Sequence, residues 1–233
     1  MPRFGVYYVP PARSSFFRLG TSIIGYDARR ESVSPTENAI RGQLPNFEPD
    51  YVVRPQHHGI HCTIVAPHHC RYGDLEAIHY DIDHCLRCFE AETAFELHAK
   101  SPLVEFWGKK RQIVTLQYSA NTALQILHTL LVAQLNTYIR PKTTPSRQQT
   151  AHEFHRAEHF HYPFLFDSYK PHFTLMHPYK GNAHEALANR LHTFFGQFKL
   201  LTCESICLMV QPHKKAQWQI YHEYMRRDYP PAI

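Results

Sequence analysis

No part of this 233-residue chain is apolar for long. The longest runs, such as Leu130-Leu131-Val132-Ala133, fall far short of the roughly 18 residues that a membrane-spanning helix needs. The N-terminal residues offer an early arginine and then a short apolar run cut by Pro10 and Pro11, without the continuous hydrophobic segment of a secretory signal, so a cytoplasmic protein is expected. Cysteine is scarce and unevenly spread, at 62, 70, 85, 88, 203 and 207, which excludes a disulfide framework and implies reduced thiols. Charge of one sign is scarce too. Lys plus Arg number 25 against 20 Asp plus Glu, a net +5 that tolerates phosphate-bearing partners without requiring nucleic acid. Disorder is excluded by 43% hydrophobic and 19% charged residues, with 15 Phe and 14 Tyr. The one excess is histidine, 19 in all, so an isolated histidine motif carries little weight here.

The pattern along the chain predicts strand, helix and paired strands, twice over. Residues 4–9 read as a strand closed by Pro10, and 15–26 as a helix with Phe16, Leu19, Ile23 and Ile24 in one stripe. A long connection spans 27–58, carrying Pro35, Pro45, Pro49 and Pro55. A strand at 61–66 should stop at Pro67, followed by a helix over 74–92 and strands at 93–99, 103–107 and 112–118. The second half offers a helix over 121–139 with Leu124, Leu127, Leu131 and Leu135 on one side, ended by Pro141. A histidine-rich insertion at 140–169 follows, partly helical after Pro145. It leads to a strand at 172–177, a helix at 183–195 and strands near 202–210 and 218–224. Hairpins rather than parallel crossovers give an α+β architecture with antiparallel sheets, and no boundary divides residues 1–233 into independent domains.

Within this plan one motif recurs. His61-Cys62-Thr63-Ile64-Val65-Ala66-Pro67 and His172-Phe173-Thr174-Leu175-Met176-His177-Pro178 both read H-x-T, two apolar positions, any residue, proline, and both open a predicted strand. Side chains alternate along a strand, so His61 shares a face with Thr63, and His172 with Thr174. An imidazole can give or take a proton near neutral pH, and a hydroxyl can donate to a phosphoryl oxygen. Two facing pairs therefore suit phosphodiester cleavage. One histidine deprotonates the nucleophile, the other protonates the departing oxygen, and the threonines hold the non-bridging oxygens.

Here the sequence resembles the two-histidine (2H) phosphoesterase superfamily, and within it the phosphonate-metabolism-associated, DUF1045-like branch. The resemblance is carried by Tyr7-Tyr8-Val9-Pro10-Pro11, Arg18-Leu19-Gly20 and Gly25-Tyr26-Asp27, then by Gly59-Ile60 ahead of the first motif. Tyr162-Pro163-Phe164-Leu165 and Tyr169-Lys170-Pro171 ahead of the second complete it, so it covers essentially the whole chain. It implies a bilobal fold of two pseudo-twofold-related antiparallel lobes with outer helices and a central cleft. It also implies catalysis by His61 and His172, with Thr63 and Thr174 binding phosphate. Relatives in the wider superfamily act on 2′,3′-cyclic phosphates and RNA ends, which makes a phosphodiester small molecule, a nucleotide or an RNA end the expected partner. No metal, cofactor or stable protein partner is expected. The chain departs from the branch in Pro67-His68-His69-Cys70-Arg71 and in His152, His155, His159 and His161, which bears on substrate range.

Further candidates surround the motifs. Tyr7, Tyr8, Phe106 and Trp107 are strand aromatics, core by default, of which Tyr7 and Trp107 are candidates to stack a base beside the phosphate. Lys170 lies two residues before His172 and on its face if that strand extends back past Pro171. Lys109, Lys110 and Arg111 read as a solvated turn. His152, His155 and His159 share a helical face and offer a rival, a metal-dependent hydrolase, although His152-Glu153-Phe154-His155 lacks zinc-protease spacing and a solvated face is favoured. Cys85 and Cys88 form a lone CxxC expected on a half-buried helix away from the site. A non-catalytic RNA or nucleotide-binding module is the second rival.

Overall fold

The N-terminal Phe4-Gly5-Val6-Tyr7-Tyr8 is buried on both faces because it lies inside a sheet. In the computed structural model, which describes residues 1–33, 38–140 and 150–226, this strand β1 (Arg3–Tyr8) runs between two others. After it come α1 (Ser15–Ile24), the small hairpin of β2 (Tyr26–Asp27) and β3 (Ser32–Val33), and α2 (Asn38–Arg41). Then follow β4 (Cys62–His69), α3 (Leu75–Arg87), the hairpin of β5 (Glu96–Trp107) and β6 (Ile113–Ala120), and α4 (Thr122–Leu135). The chain continues with α5 (Ala151–Phe160), β7 (His172–Met176), α6 (His184–Phe195), β8 (Leu200–Thr202), β9 (Ser205–Gln211) and β10 (Gln219–Met225). Pro35, Pro141 and Pro145 lie outside the described residues. Among the described residues no helix is long and apolar enough to cross a membrane, and all six cysteines are free.

Eight strands form one antiparallel sheet in the order β10-β9-β1-β4-β7-β6-β5-β8. The two expected lobes are its halves, four strands each, and the motif strands β4 and β7 meet at the centre. A single registered pair, Cys62 with Phe173, joins them. Behind that pair, Phe16 of α1 packs edge-on against Phe173 at 4.8 Å and also touches Tyr118, Phe195 and Phe198, drawing α1 and α6 onto this face. The helix starts follow the sequence chemistry: Ser14 accepts from the Phe17 amide and Asn121 from the Leu124 amide, each satisfying an otherwise unpaired donor of the first turn.

Three sequence expectations change. β4 does not stop at Pro67 but continues to His69, because β1 shifts register between Phe4 and Val6 opposite that point and β7 pairs only at the other end, so the missing proline N–H is not called upon. The strands expected at 93–99 and 103–107 are one, β5, whose register on β6 shifts between Ala99 and Val104 around Pro102. The connection at 27–58 is not featureless: besides β3 and α2 it holds two 3₁₀ turns, Pro49–Val52 and Pro55–His57, each opened by proline, whose fixed φ suits a first turn.

Phe173 is completely buried between Tyr8, Phe16 and Tyr118, so Phe173→Ala should cost about 3–5 kcal/mol, the usual price of deleting a core ring. Urea unfolding measures it, and a loss below about 1 kcal/mol would mean that the two halves do not depend on this ring.

Candidate functional site

The seam dictates the site. One step to either side of the Cys62–Phe173 pair, the antiparallel register sets His61 across from Thr174 and Thr63 across from His172. Cys62 and Phe173 are buried on one face, whereas His61, Thr63, His172 and Thr174 are half-buried on the other. The histidines thus occupy one diagonal of a small quadrilateral and the threonines the other, with side-chain spacings of about 5–8 Å. Neighbouring strands extend this face: β1 places Tyr7 beside Thr63, and β6 places Gln117 beside His172 and Thr115 beside Thr174. The Gln117 amide donates to the Thr115 hydroxyl at 2.6 Å, and that hydroxyl donates to the Glu105 carbonyl at 3.1 Å, so the buried polar floor is satisfied.

Both rings are held the same way. Nδ1 of His61 lies 2.9 Å from the Gly59 carbonyl, and Nδ1 of His172 lies 2.8 Å from the Lys170 carbonyl. A carbonyl only accepts, so each Nδ1 carries the proton and each Nε2 is left as the basic atom. Backbone chemistry aims the carbonyls. Gly59 has φ +75°, where a Cβ would come within 3.0 Å of the Tyr26 carbonyl. Lys170 precedes Pro171, which favours extended backbone. Burial drives the His61 pKa down to about 4, against the raising effect of the Gly59 bond and reinforced by His172 nearby. Burial lowers His172 as well, with the Lys170 carbonyl opposing. Both rings favour the neutral form.

Beside the quadrilateral opens a cavity of about 310 Å³ lined by Thr63, His172, Lys170 and Trp107, with Ile64, Ala66, His128, Tyr162, Phe164, Leu165 and Tyr169. The Trp107 ring sits 4.5 Å from that of His172, and its Nε1 donates to Glu105 Oε2 at 2.7 Å. Lys170 is exposed at the cavity. The wall formed by residues 162–169 is fastened by Arg156 of α5, which donates to the Leu165 carbonyl at 3.1 Å and to the Ser168 hydroxyl at 2.6 Å, and pairs with Asp167.

Of the residues singled out in the sequence, His61, Thr63, His172 and Thr174 come together, and Trp107 and Lys170 join them at the cavity. Tyr7 does not. It is completely buried in β1, packs edge-on against His61 at 4.9 Å, and is closed off from any base. Strands on both sides of β1 and Trp218 at 5.8 Å leave it no open face; its hydroxyl is buried without a partner. Tyr8 packs on Phe173, and Phe106 on His184 and Tyr179. The cluster in α5 is also recast: the donor atoms of His155, Glu158 and His159 lie within 4.8 Å of one another, whereas His152 is not among them. Helical steps of three and four gather those three around one turn, whereas His152, on the same face, lies two turns from His159, about 10 Å along the axis. All three are exposed and none lines the cavity. Cys85 is buried on α3 and Cys88 exposed at its end, both outside the cavity lining.

One site residue escaped the sequence reading. His128 lies in the apolar stripe of α4, buried, where its Nδ1 donates to the Ile64 carbonyl at 2.6 Å and its Nε2 accepts from the Phe166 amide at 3.1 Å. It stacks on Tyr169 at 4.1 Å, and the Tyr169 hydroxyl donates to the Thr63 carbonyl at 3.0 Å. The signal was available: a histidine among leucines must find hydrogen-bond partners.

The family model for proteins of unknown function named DUF1045 matches residues 87–219. No curated protein sequence matches the chain. Among solved structures, E. coli LigT complexed with NADP+ is 12% identical over 97% of this chain and 99% of its own, with a TM-score of 0.48. A protein described as a phosphoesterase is 11% identical over 96% and 97%, at 0.46. Usb1 of Kluyveromyces marxianus is 8% identical over 94% and 97%, at 0.38.

Burial lowers His61 and His68 to about 4 from an ordinary 6.5, so the unfolded chain binds more protons between these values and stability rises with pH across that window. The urea midpoint should therefore fall as pH drops from 6.5 toward 4. Equal midpoints at pH 7 and pH 5 would show that these rings take up protons freely in the folded protein.

Proposed function

The chain belongs to the DUF1045 family, proteins of unknown function, and from the geometry of its central seam we propose that it is a metal-independent two-histidine phosphoesterase. The observation that carries this reading is the pairing of two H-x-T motifs on adjacent strands, with both histidines tethered through Nδ1 so that Nε2 is the basic atom of each ring. A phosphate there meets two acid–base nitrogens on one diagonal and two hydroxyl donors on the other. One imidazole takes the proton of an attacking water while the other gives a proton to the departing oxygen, and the threonine hydroxyls donate to the non-bridging oxygens as charge builds on them. Half-burial strengthens each of these interactions relative to water.

The substrate class that fits is a cyclic phosphodiester of a nucleotide, an RNA end or a sugar. Lys170 supports the negative charge, and Trp107, Tyr162 and Phe164 supply an apolar wall for the group attached to the phosphate. The motif resemblance to 2H phosphoesterases points the same way. The α5 cluster of His155, Glu158 and His159 takes no part in this chemistry.

His61→Ala and His172→Ala should each lower turnover of a responsive cyclic phosphate by about 10² to 10⁴, with the double variant losing less than the product because the pair acts as a unit. EDTA should leave the rate unchanged. Activity abolished by chelator and restored by a divalent ion would favour the metal-dependent rival, and binding without turnover a non-catalytic module.

Thr63→Val and Thr174→Val keep the β-branched shape but remove one hydroxyl donor each, so the fold should persist while transition-state stabilisation falls by about 1–3 kcal/mol. Unchanged kinetics with a lowered melting temperature would place the threonines in the core instead.

A further inference from the structure

The strand arrangement makes the two motifs equivalent, yet their surroundings are not. His172 lines the 310 Å³ cavity together with Trp107 and Lys170. His61 does not line it. Its ring is packed by Tyr7 edge-on at 4.9 Å and by His58 at 4.9 Å, tilted 30°. Trp218 backs both of these, stacked on His58 at 4.7 Å and 5.8 Å from Tyr7, and the Arg3 guanidinium lies 5.3 Å over the indole. On the His61 side protein rings occupy the space beside the imidazole, whereas the open cavity lies on the His172 side.

From this asymmetry we infer that His61 is the general base that activates water and His172 is the general acid that protonates the leaving oxygen. The assignment rests on the phosphoesterase reading above and gives it a direction. In-line displacement sets the attacking and departing oxygens on opposite sides of phosphorus. The bulky group belongs at the open His172 side, which leaves the crowded His61 side for water. Water oxygen forms the new P–O bond as His61 Nε2 takes its proton. The P–O bond to the leaving group breaks, and its electron pair receives the proton from His172 Nε2. A phosphomonoester and a free hydroxyl result, and exchange with solvent returns each histidine to its starting state. Burial holds both rings neutral in the free protein; the bound anionic phosphate favours a proton on one of them, and the open cavity beside His172 gives it to that ring.

Leaving-group dependence tests the assignment. Thymidine 5′-phosphate esters of phenol and of 4-nitrophenol differ in whether the departing oxygen needs a proton. His172→Ala should lose about 10² to 10⁴ on the phenyl ester but within about tenfold on the nitrophenyl ester, whereas His61→Ala should lose equally on both. Gln variants at both positions, whose amide can still donate to the tethering carbonyl, repeat the comparison should an Ala variant fold poorly. Rescue of the His61 variants instead, or equal losses in all variants, overturns the assignment and leaves the phosphoesterase reading standing. No turnover of either ester or of any cyclic phosphate by the unaltered protein overturns both.

Discussion

One backbone register, Cys62 against Phe173, governs the rest of the molecule. Because side chains alternate along a strand, burying this pair behind the sheet obliges the residues on either side of each to face forward. A slip of one residue would bring the histidines and threonines into the apolar layer and expose Phe173, an exchange that costs both desolvation and lost packing. Phe16, Tyr8 and Tyr118 around Phe173 hold the register from behind. The short seam between the halves is thus secured less by ladder hydrogen bonds than by the ring cluster beneath it.

That register also explains how two imidazoles can be partly desolvated without being silenced. Burial opposes their charge, but each Nδ1–H already has a carbonyl acceptor, so the neutral tautomer that leaves Nε2 free is selected before any substrate arrives. The same logic works one layer out. His128 satisfies both ring nitrogens, one on β4 and one on the 166–169 wall, and Tyr169 reaches the Thr63 carbonyl, so the wall is bonded directly to the threonine strand. Polar groups here are fixed by complete satisfaction.

Much of this was legible in the sequence, for definite reasons. The repeated H-x-T with its flanking apolar positions reports a strand with one polar and one buried face, and the structure has that face structure in both copies. Local signals said less where non-local partners decide. Tyr7 read as a candidate base-stacking aromatic because nothing near it reveals that β1 is flanked on both sides and closed by Trp218, more than two hundred residues away. Pro67 read as a break, whereas extra residues on its own strand, where the register on β1 shifts, absorb it. His128 was hidden by its own surroundings, since its partners lie on β4 and on a segment beyond α5.

The division of labour between repeated and unrepeated sequence follows. The halves of the sheet supply equivalent chemistry, because antiparallel pairing about a central seam presents each motif to the other in the same way. Selectivity requires that equivalence to be broken, and the breaking elements have no counterpart in the other half: the 162–169 wall held by Arg156 on one side, and the His58–Trp218 stack on the other. Under the proposed function, phosphate binding answers to the motifs, whereas the choice of what hangs from the phosphate answers to segments that packed around them. Substitutions at an exposed wall residue such as Phe164 should alter which substrate is accepted while the centre stays intact, because Phe173 holds the register from behind and Phe164, unlike Tyr169, makes no bond to the Thr63 strand.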